Sequence, residues 1–214
     1  MISYGKIYLS GLYWWNRLWY ARLKWNLRGR VDFGDGCDIW VRNFRFKGCG
    51  RLKLGMGCVM ERNEFPSIFE IDKGAEVILG ERIVLRGKYC ANVITAFENS
   101  RIEIGDGSLL NGCIITARKR INLGRKVLLS WGVSLMDSDL HDLSNKEKAE
   151  LNTVEIGDYV LVGAYCVVLP GVKIGSHCVI GSGSIVSRDI PDHSVAVGAP
   201  ARVIRKIDDR DLAL

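Results

Sequence analysis

The chain has 214 residues, of which 48% are hydrophobic and 25% charged, and its formal net charge is +6 at pH 7. This length predicts one globular domain, or one domain with an appendage, that buries a substantial core. The seven cysteines are scattered without a CxxC spacing. They therefore favour a reducing, cytoplasmic protein and argue against a disulfide framework or a zinc site.

The N-terminal segment, residues 1–30, is basic and aromatic. Residues 1–31 contain six Lys or Arg, no Asp or Glu, and four of the six Trp. Such a segment suits a membrane interface, but an amphipathic helix packed on the protein body or on a partner subunit has the same character. The uncharged run 7–16 is too short to span a bilayer, and no small-residue cleavage site follows it. We therefore expect neither a transmembrane helix nor a signal peptide.

Aliphatic residues return at every sixth position over residues 156–186. The positions are Ile156, Val162, Val168, Ile174, Ile180 and Val186. A residue four places after each of them is again apolar or small, and Gly often follows the first aliphatic residue. This period fits neither a helix nor a simple strand. It is typical of a parallel β-helix with three short strands in each coil of about eighteen residues.

The same period continues upstream through Leu135, Leu123, Ile104 and Leu79 to a fainter match at Phe33. Twenty-one residues separate Leu135 from Ile156, which predicts a loop that leaves the repeat at residues 136–153. We therefore predict three parts: the N-terminal segment 1–30, a β-helix domain over 31–197 that carries this loop, and a C-terminal tail over 198–214. A polar loop on a rigid repeat is a common place for a functional site.

Three stretches resemble the hexapeptide-repeat acyltransferases, especially sugar and polysaccharide O-acetyltransferases of the galactoside and maltose type. They are VSLMDSDLHD, PGVKIGSHCVIGSGSIVSRDIP and VAVGAPARVIRKIDDRD. The resemblance is strong over residues 100–211 and absent from the N-terminal segment. It implies an all-β, left-handed parallel β-helix with an N-terminal helical segment. It also implies a homotrimer, with acetyl-CoA as co-substrate in grooves between subunits.

The resemblance also implies the reaction and the residues that carry it. His141 matches the general base that takes the proton of a sugar hydroxyl, a task that suits a neutral imidazole. Asp139 or Asp142 would orient its ring. Asn111 falls near the position of an Asn at the acceptor, although a plain Asn at a coil corner is an equal alternative. The coenzyme positions of the family fall on Ala164, Ser182, Ser187, Arg188 and Arg205.

Two departures from the family bear on the acceptor. Leu161 stands where many relatives have Trp, and the stretch Arg118, Lys119, Arg120 replaces acidic residues of galactoside-binding relatives. The basic stretch favours an anionic, nucleotide-linked or lipid-linked sugar of a bacterial surface glycan such as lipopolysaccharide. Such an acceptor would place the protein in the cytoplasm, at the inner face of the cytoplasmic membrane.

Three other functions are weighed against this interpretation. An N-acetyltransferase for an amino sugar or another small acceptor would keep the fold. A metal enzyme of the γ-carbonic-anhydrase kind needs three converging His. The chain has only His141, His177 and His193, and we expect the last two to be exposed and structural, so we predict no metal site. A non-catalytic scaffold would have no use for the polar loop. No motif indicates nucleic-acid binding.

Overall fold

The computed structural model describes residues 4–138 and 152–208, with side chains from residue 14 onward. The helix α1 (Tyr4–Asn26) comes first, and a short 3₁₀ turn follows at Val41–Asn43. The first nine strands are β1 (Val31–Phe33), β2 (Asp38–Ile39), β3 (Phe44–Gly48), β4 (Arg51–Leu54), β5 (Val59–Met60), β6 (Ser67–Ile71), β7 (Glu76–Leu79), β8 (Val84–Arg86) and β9 (Asn92–Ala96). The next seven are β10 (Arg101–Ile104), β11 (Leu109–Asn111), β12 (Ile114–Ala117), β13 (Arg120–Leu123), β14 (Leu128–Leu129), β15 (Ser134–Met136) and β16 (Thr153–Ile156). The last seven are β17 (Leu161–Val162), β18 (Val167–Val168), β19 (Lys173–Ile174), β20 (Val179–Ile180), β21 (Ile185–Val186), β22 (Ser194–Gly198) and β23 (Ala201–Lys206).

Every third strand from β1 to β21 belongs to the same parallel sheet, so these strands wind into seven coils of a three-sided prism. Sheet A begins with β1 and ends with β19, sheet B begins with β2, and sheet C begins with β3 and ends with β21. β22 extends sheet B after β20, and β23 pairs with β22 in the antiparallel direction. The six-residue period therefore predicted the solenoid, and the N-terminal helix is also confirmed.

The aliphatic residues of the repeat point into the prism and stack from coil to coil. Ile104 pairs with Leu123, Leu123 with Ile156, and Ile156 with Ile174, and all four side chains are buried. Cys166 and Cys178 are also buried inside the prism. The strands of the three parallel sheets are short, because the chain must turn at a corner after each of them.

The insertion between β15 and β16 is shorter than the sequence suggested. Met136 still belongs to β15, Thr153 already belongs to β16, and Asp137 is fully buried. The boundaries 136 and 153 were therefore one or two residues too wide on each side. They were wrong because the sixfold spacing marks only the inward aliphatic residues and does not show where pairing between neighbouring strands ends.

The three outer faces of the prism differ in chemistry. Sheet A is charged: Glu76, Arg101, Glu103 and Arg120 form a chain of ion pairs across its strands. Sheets B and C instead carry apolar side chains in register from one coil to the next. On sheet B these are Val59, Val84, Leu109, Leu128, Leu161, Val179 and Val195. On sheet C they are Ile68, Val93, Ile114, Val167 and Ile185, interrupted by Ser134.

Candidate active site

Two corners of the prism carry five of the six predicted site residues that the structure describes. The BC corner is the turn from a strand of sheet B to the next strand of sheet C, and the CA corner is the turn from sheet C to sheet A. Asn111, Ala164 and Ser182 lie at the BC corner, whereas Ser187 and Arg188 lie at the CA corner. The structure therefore divides the predicted residues into two groups.

Asn111 is the last residue of β11, and buried hydrogen bonds fix the corner that follows it. The buried Asn92 accepts hydrogen bonds on Oδ1 from the backbone N–H groups of Gly112 and Cys113, at 2.8 and 3.2 Å. Its Nδ2 donates to Ser67 Oγ at 3.1 Å. The Oδ1 of Asn111 is buried and has no hydrogen-bond partner among the described residues. Because an unsatisfied buried acceptor is uncommon, this oxygen is a candidate to meet a ligand donor.

Ala164 and Ser182 occupy the BC corner in successive coils. The N–H of Gly183 donates to the carbonyl of Ala164 at 2.8 Å, and Val162 pairs with Ile180 just before the corner. A Cβ on Gly163 would lie 2.6 Å from the backbone nitrogen of Ser182, so only glycine allows this approach. The exposed Ser182 and the small Ala164 leave backbone groups accessible, which suits the binding of a narrow chain.

Ser187 and Arg188 are exposed and follow β21 directly. Five residues separate Ser182 from Ser187, which corresponds to about 16 Å along an extended strand. Arg205 lies on β23, opposite Val195 of sheet B, and its side chain is exposed. The predicted coenzyme residues are therefore spread along one end of the prism, and the two groups do not meet within one chain.

Asp137 is fixed at the CA corner, directly before the start of the polar loop, a role that its position in the sequence did not predict. Its carboxylate accepts three backbone hydrogen bonds, from Arg118 at 2.8 Å and from Lys119 and Arg120 at 2.7 Å each. Its carbonyl accepts the N–H of Asn152 at 3.1 Å, which joins the two ends of the loop. The acidic residue next to the loop was the only signal in the sequence for this anchor. Its hydrogen-bond partners could not be predicted, because they lie in the preceding coil. His141 and Asp139 lie outside the described residues.

The basic stretch beside this corner is partly neutralised. Arg120 forms an ion pair with Glu103 at 2.6 Å, and the Arg101 and Arg120 hydrogen bonds lower the pKa of that carboxyl. The guanidinium of Arg118 lies 5.0 Å from the centre of the Phe97 ring, a cation–π contact that leaves its outer edge exposed. Arg118 is thus better placed than Arg120 to meet an anionic ligand.

The expectation that His177 and His193 are exposed is wrong. Both are half-buried, and they stack at 4.9 Å between ring centroids, with Tyr159 stacked at 4.9 Å on the other side of His177. All three residues occupy the same corner position in successive coils, with φ near +57°. Corner side chains in register cover one another, which sequence spacing alone does not reveal. Leu161, at the position of the family Trp, is exposed on sheet B.

Aromatic side chains at the BC corner were also missed. Tyr89 and Trp131 contact each other edge to face at 5.2 Å, and Tyr165 lies over Gly132. All three rings are exposed, and Tyr165 directly follows Ala164 in the chain. Among the described residues, no group of three His, Cys, Asp or Glu is arranged to hold a metal ion.

Comparisons with known proteins agree with this fold. The family model of the bacterial transferase hexapeptide (six repeats) matches residues 153–188. Galactoside O-acetyltransferase of Escherichia coli K12 is 39% identical over 116 residues, which cover 52% of this chain and 57% of that protein. The chain thus matches little more than half the length of this curated relative.

Two solved structures are similar over a larger share. A maltose O-acetyltransferase from Clostridium difficile 630 has a TM-score of 0.53 and 32% identity, covering 60% of this chain and 68% of that one. A galactoside acetyltransferase in complex with coenzyme A has a TM-score of 0.52 and 31% identity, covering 68% and 69%. The prism is therefore a left-handed β-helix, and the protein belongs to the hexapeptide-repeat acyltransferases of the galactoside and maltose acetyltransferase type.

Proposed function

We propose that the protein is an acetyl-CoA-dependent O-acetyltransferase that acts on a sugar hydroxyl of a bacterial surface glycan or its precursor. The observation that carries this proposal is the buried Asp137, which fixes the chain four residues before His141 to a corner of a β-helix of this family. A scaffold with no reaction to perform has no need for such an anchored polar loop. The galactoside and maltose acetyltransferases named above support a sugar as the acceptor.

His141 acts as the general base in the proposed reaction. Its neutral imidazole takes the proton of the acceptor hydroxyl while the hydroxyl oxygen attacks the thioester carbonyl carbon. The carbon–sulfur bond then breaks, the acetyl group remains on the sugar as an ester, and the protonated imidazole returns its proton to the departing thiolate. Asp139 holds the ring in the required tautomer, and Asn111 accepts a hydrogen bond from the acceptor through its unpartnered Oδ1.

Acetyl-CoA is bound along the last coils. Ala164 and Ser182 present small side chains and backbone groups to the narrow pantetheine arm. Ser187, Arg188 and Arg205 meet the nucleotide end, where guanidinium groups suit phosphate. The coenzyme A complex of the similar galactoside acetyltransferase supports this choice of co-substrate.

A homotrimer completes the site in this proposal. The BC-corner residues and the CA-corner loop lie on different edges of one prism, so they meet only when a CA corner of one subunit approaches a BC corner of another. The apolar outer faces of sheets B and C are suited to burial between subunits, whereas charged sheet A is suited to solvent. The exposed rings of Tyr89, Trp131 and Tyr165 would line the same junction.

The acceptor is anionic or lipid-linked, and it is met in the cytoplasm at the inner face of the cytoplasmic membrane. The exposed edge of Arg118 beside the loop base supports an acceptor that carries phosphate or carboxylate. The N-terminal segment would make a peripheral contact with that membrane.

Isothermal titration of acetyl-CoA and coenzyme A tests the first part of the proposal. We expect micromolar binding to the wild type that weakens about 10- to 150-fold in Arg205→Ala, since a lost charged hydrogen bond is worth about 1.5–3 kcal/mol. Arg45→Ala is the matched control, because Arg45 is an exposed cation in the first coil. Absence of binding to the wild type would contradict the proposal.

A thiol-release assay on a panel of sugars tests the reaction itself. His141→Ala should abolish turnover on the best acceptor while leaving coenzyme binding unchanged. An acetyl product that resists mild alkali would identify an amine acceptor and replace the O-acetyltransferase by an N-acetyltransferase. Equal kcat/KM on neutral and anionic sugars would contradict the proposed acceptor class.

A further inference from the structure

The side chains of α1 divide into a half-buried face and an exposed remainder. Asn16, Tyr20 and Leu23 are half-buried and lie on one face, since their spacings are four and three residues. Leu27, directly after the helix, is half-buried as well. Asn16 Nδ2 donates to the carbonyl of Ile39 at 2.9 Å, and Asn16 Oδ1 accepts the N–H of Val41 at 2.9 Å. These contacts fix the helix against the first coil and thereby fix the direction of its other face.

The exposed side of α1 carries large apolar side chains beside the cations Arg17 and Arg22, which lie over the Trp14 and Trp19 rings. Trp14, Trp15, Leu18, Trp19 and Trp25 are all at least 52% exposed. Contiguous exposed apolar side chains on a folded protein mark an interaction surface. Tryptophan in particular is enriched where an apolar phase meets water, because its ring is apolar and its N–H is polar.

A basic groove adjoins this face at the C-terminal end of α1. The groove has a volume of about 520 Å³ and lies between the helix and the first strands of sheet A. Five cations line it: Lys24, Arg28, Arg30, Arg51 and Lys53. Of the two acids in its wall, Glu76 is paired with Arg101 at 2.8 Å, so Asp32 alone opposes the five cations. The groove is therefore suited to phosphate groups.

We propose that this end of the molecule docks on an anionic lipid bilayer. The tryptophan face lies at the headgroup level, and the groove receives lipid phosphates. No described helix has the length and apolar character needed to cross a bilayer, which fits a helix lying in the interface plane. A second copy of the chain is a poorer occupant, because it would bring an equally basic groove to the contact.

This inference deepens the peripheral contact proposed for residues 1–30 by adding strand residues and a lipid class. Docking can be measured with no acetyl donor or acceptor present. Failure of vesicle binding would thus leave acetyl transfer to a soluble sugar untouched, and failure of acetyl transfer would leave vesicle binding untouched.

Sedimentation of the full chain with phospholipid vesicles tests the proposal. We expect binding to vesicles that contain phosphatidylserine and little binding to pure phosphatidylcholine. Arg28→Ala combined with Lys53→Ala should weaken binding about 25-fold, at about fivefold for each cation near an anionic surface. Arg45→Ala combined with Lys47→Ala removes the same charge from β3, outside the groove, and should weaken binding less than threefold.

The aromatic face needs its own variant. Trp14→Ala combined with Trp25→Ala should reduce binding at least tenfold without changing the thermal unfolding midpoint, since both rings are exposed. Equal binding to both vesicle types, or equal effects of the two charge variants, would overturn the role of the groove. No vesicle binding, with an oligomer that dissociates in the tryptophan variant, would overturn the proposal in favour of self-association.

Discussion

Replacing Asp137 should loosen the corner that holds the polar loop. The side chain is fully buried, and its two oxygens accept three backbone N–H groups at 2.7–2.8 Å. In Asp137→Ala all three donors lose their partner inside the protein. Each backbone donor left unpaired costs about 1–3 kcal/mol, so the loss of all three partners is a large part of the stability of a typical domain.

Asp137→Asn is the milder and more informative change. One carboxylate oxygen accepts one N–H and the other accepts two, so either orientation of the amide turns an NH₂ group toward at least one donor. We expect a loss of about 1–3 kcal/mol for the orphaned group. Asp189→Asn is the matched control: Asp189 lies at the CA corner of the last coil, is exposed, and accepts a single N–H from Lys173 at 2.8 Å.

Urea unfolding followed by circular dichroism measures these differences, and turnover shows whether the loop is affected. We expect Asp137→Asn to lower kcat about 100-fold with an unchanged Kd for acetyl-CoA, because a small displacement of a catalytic loop is enough for such a loss. If Asp137→Asn and Asp189→Asn both unfold within 0.5 kcal/mol of the wild type, the three hydrogen bonds do not hold the corner. A stable Asp137→Asn variant with full turnover would show that catalysis does not depend on the hydrogen bonds of Asp137.

Three further predictions concern the coils themselves. Gly163→Ala should cost about 1–3 kcal/mol, because the new Cβ meets the backbone of Ser182 at 2.6 Å and neither chain can give way; an unfolding free energy equal to wild type would contradict this. Asn92→Ala should lower the free energy of unfolding by about 1–3 kcal/mol for each backbone donor it leaves unpaired, one of them the N–H of Gly112. Asn92→Asp keeps the acceptor oxygen and loses the amide donor, so it tests whether the acceptor alone is enough for stability. The pKa of Glu103 is lowered in the folded protein, so its ionised carboxylate stabilises the fold. This stabilisation is fully present above the pKa of an unfolded Glu, about 4.3, and is lost as the pH falls from there through the lower pKa of the folded state. The difference in unfolding free energy between wild type and Glu103→Gln should therefore shrink in acid; a difference that is constant with pH would contradict the lowered pKa.

The residues that point into the prism could be predicted from the sequence, because they recur with a period of six along the chain. The aliphatic positions from Leu79 to Val186 all became buried, since each coil repeats the same inward geometry. Phe33 also follows the pattern and pairs with Leu54. It is only half-buried, because the first coil has no preceding coil to cover it and α1 covers it only in part.

The site could be predicted only in outline, because its contacts join different coils. The three partners of Asp137 precede it by 17 to 19 residues, and the exact register decides which groups meet. The 6-residue period likewise assigns Ser182 and Ser187 to one coil but does not show that they lie at different corners. The half-burial of His177 has the same origin, since its neighbours in the stack are 18 and 16 residues away.

The position of Asn16 also bears on how the solenoid ends. A stack of parallel strands leaves backbone donors and acceptors open at its first coil, and such an edge can recruit strands from other molecules. Asn16 satisfies one carbonyl and one N–H of that edge, at Ile39 and Val41, as a peptide group of another coil would. α1 therefore acts as a terminator of strand addition. A chain without α1 would expose the unpaired backbone groups of the first coil, to which strands of other molecules could add. This is the same end of the molecule at which the intact protein presents its exposed tryptophans.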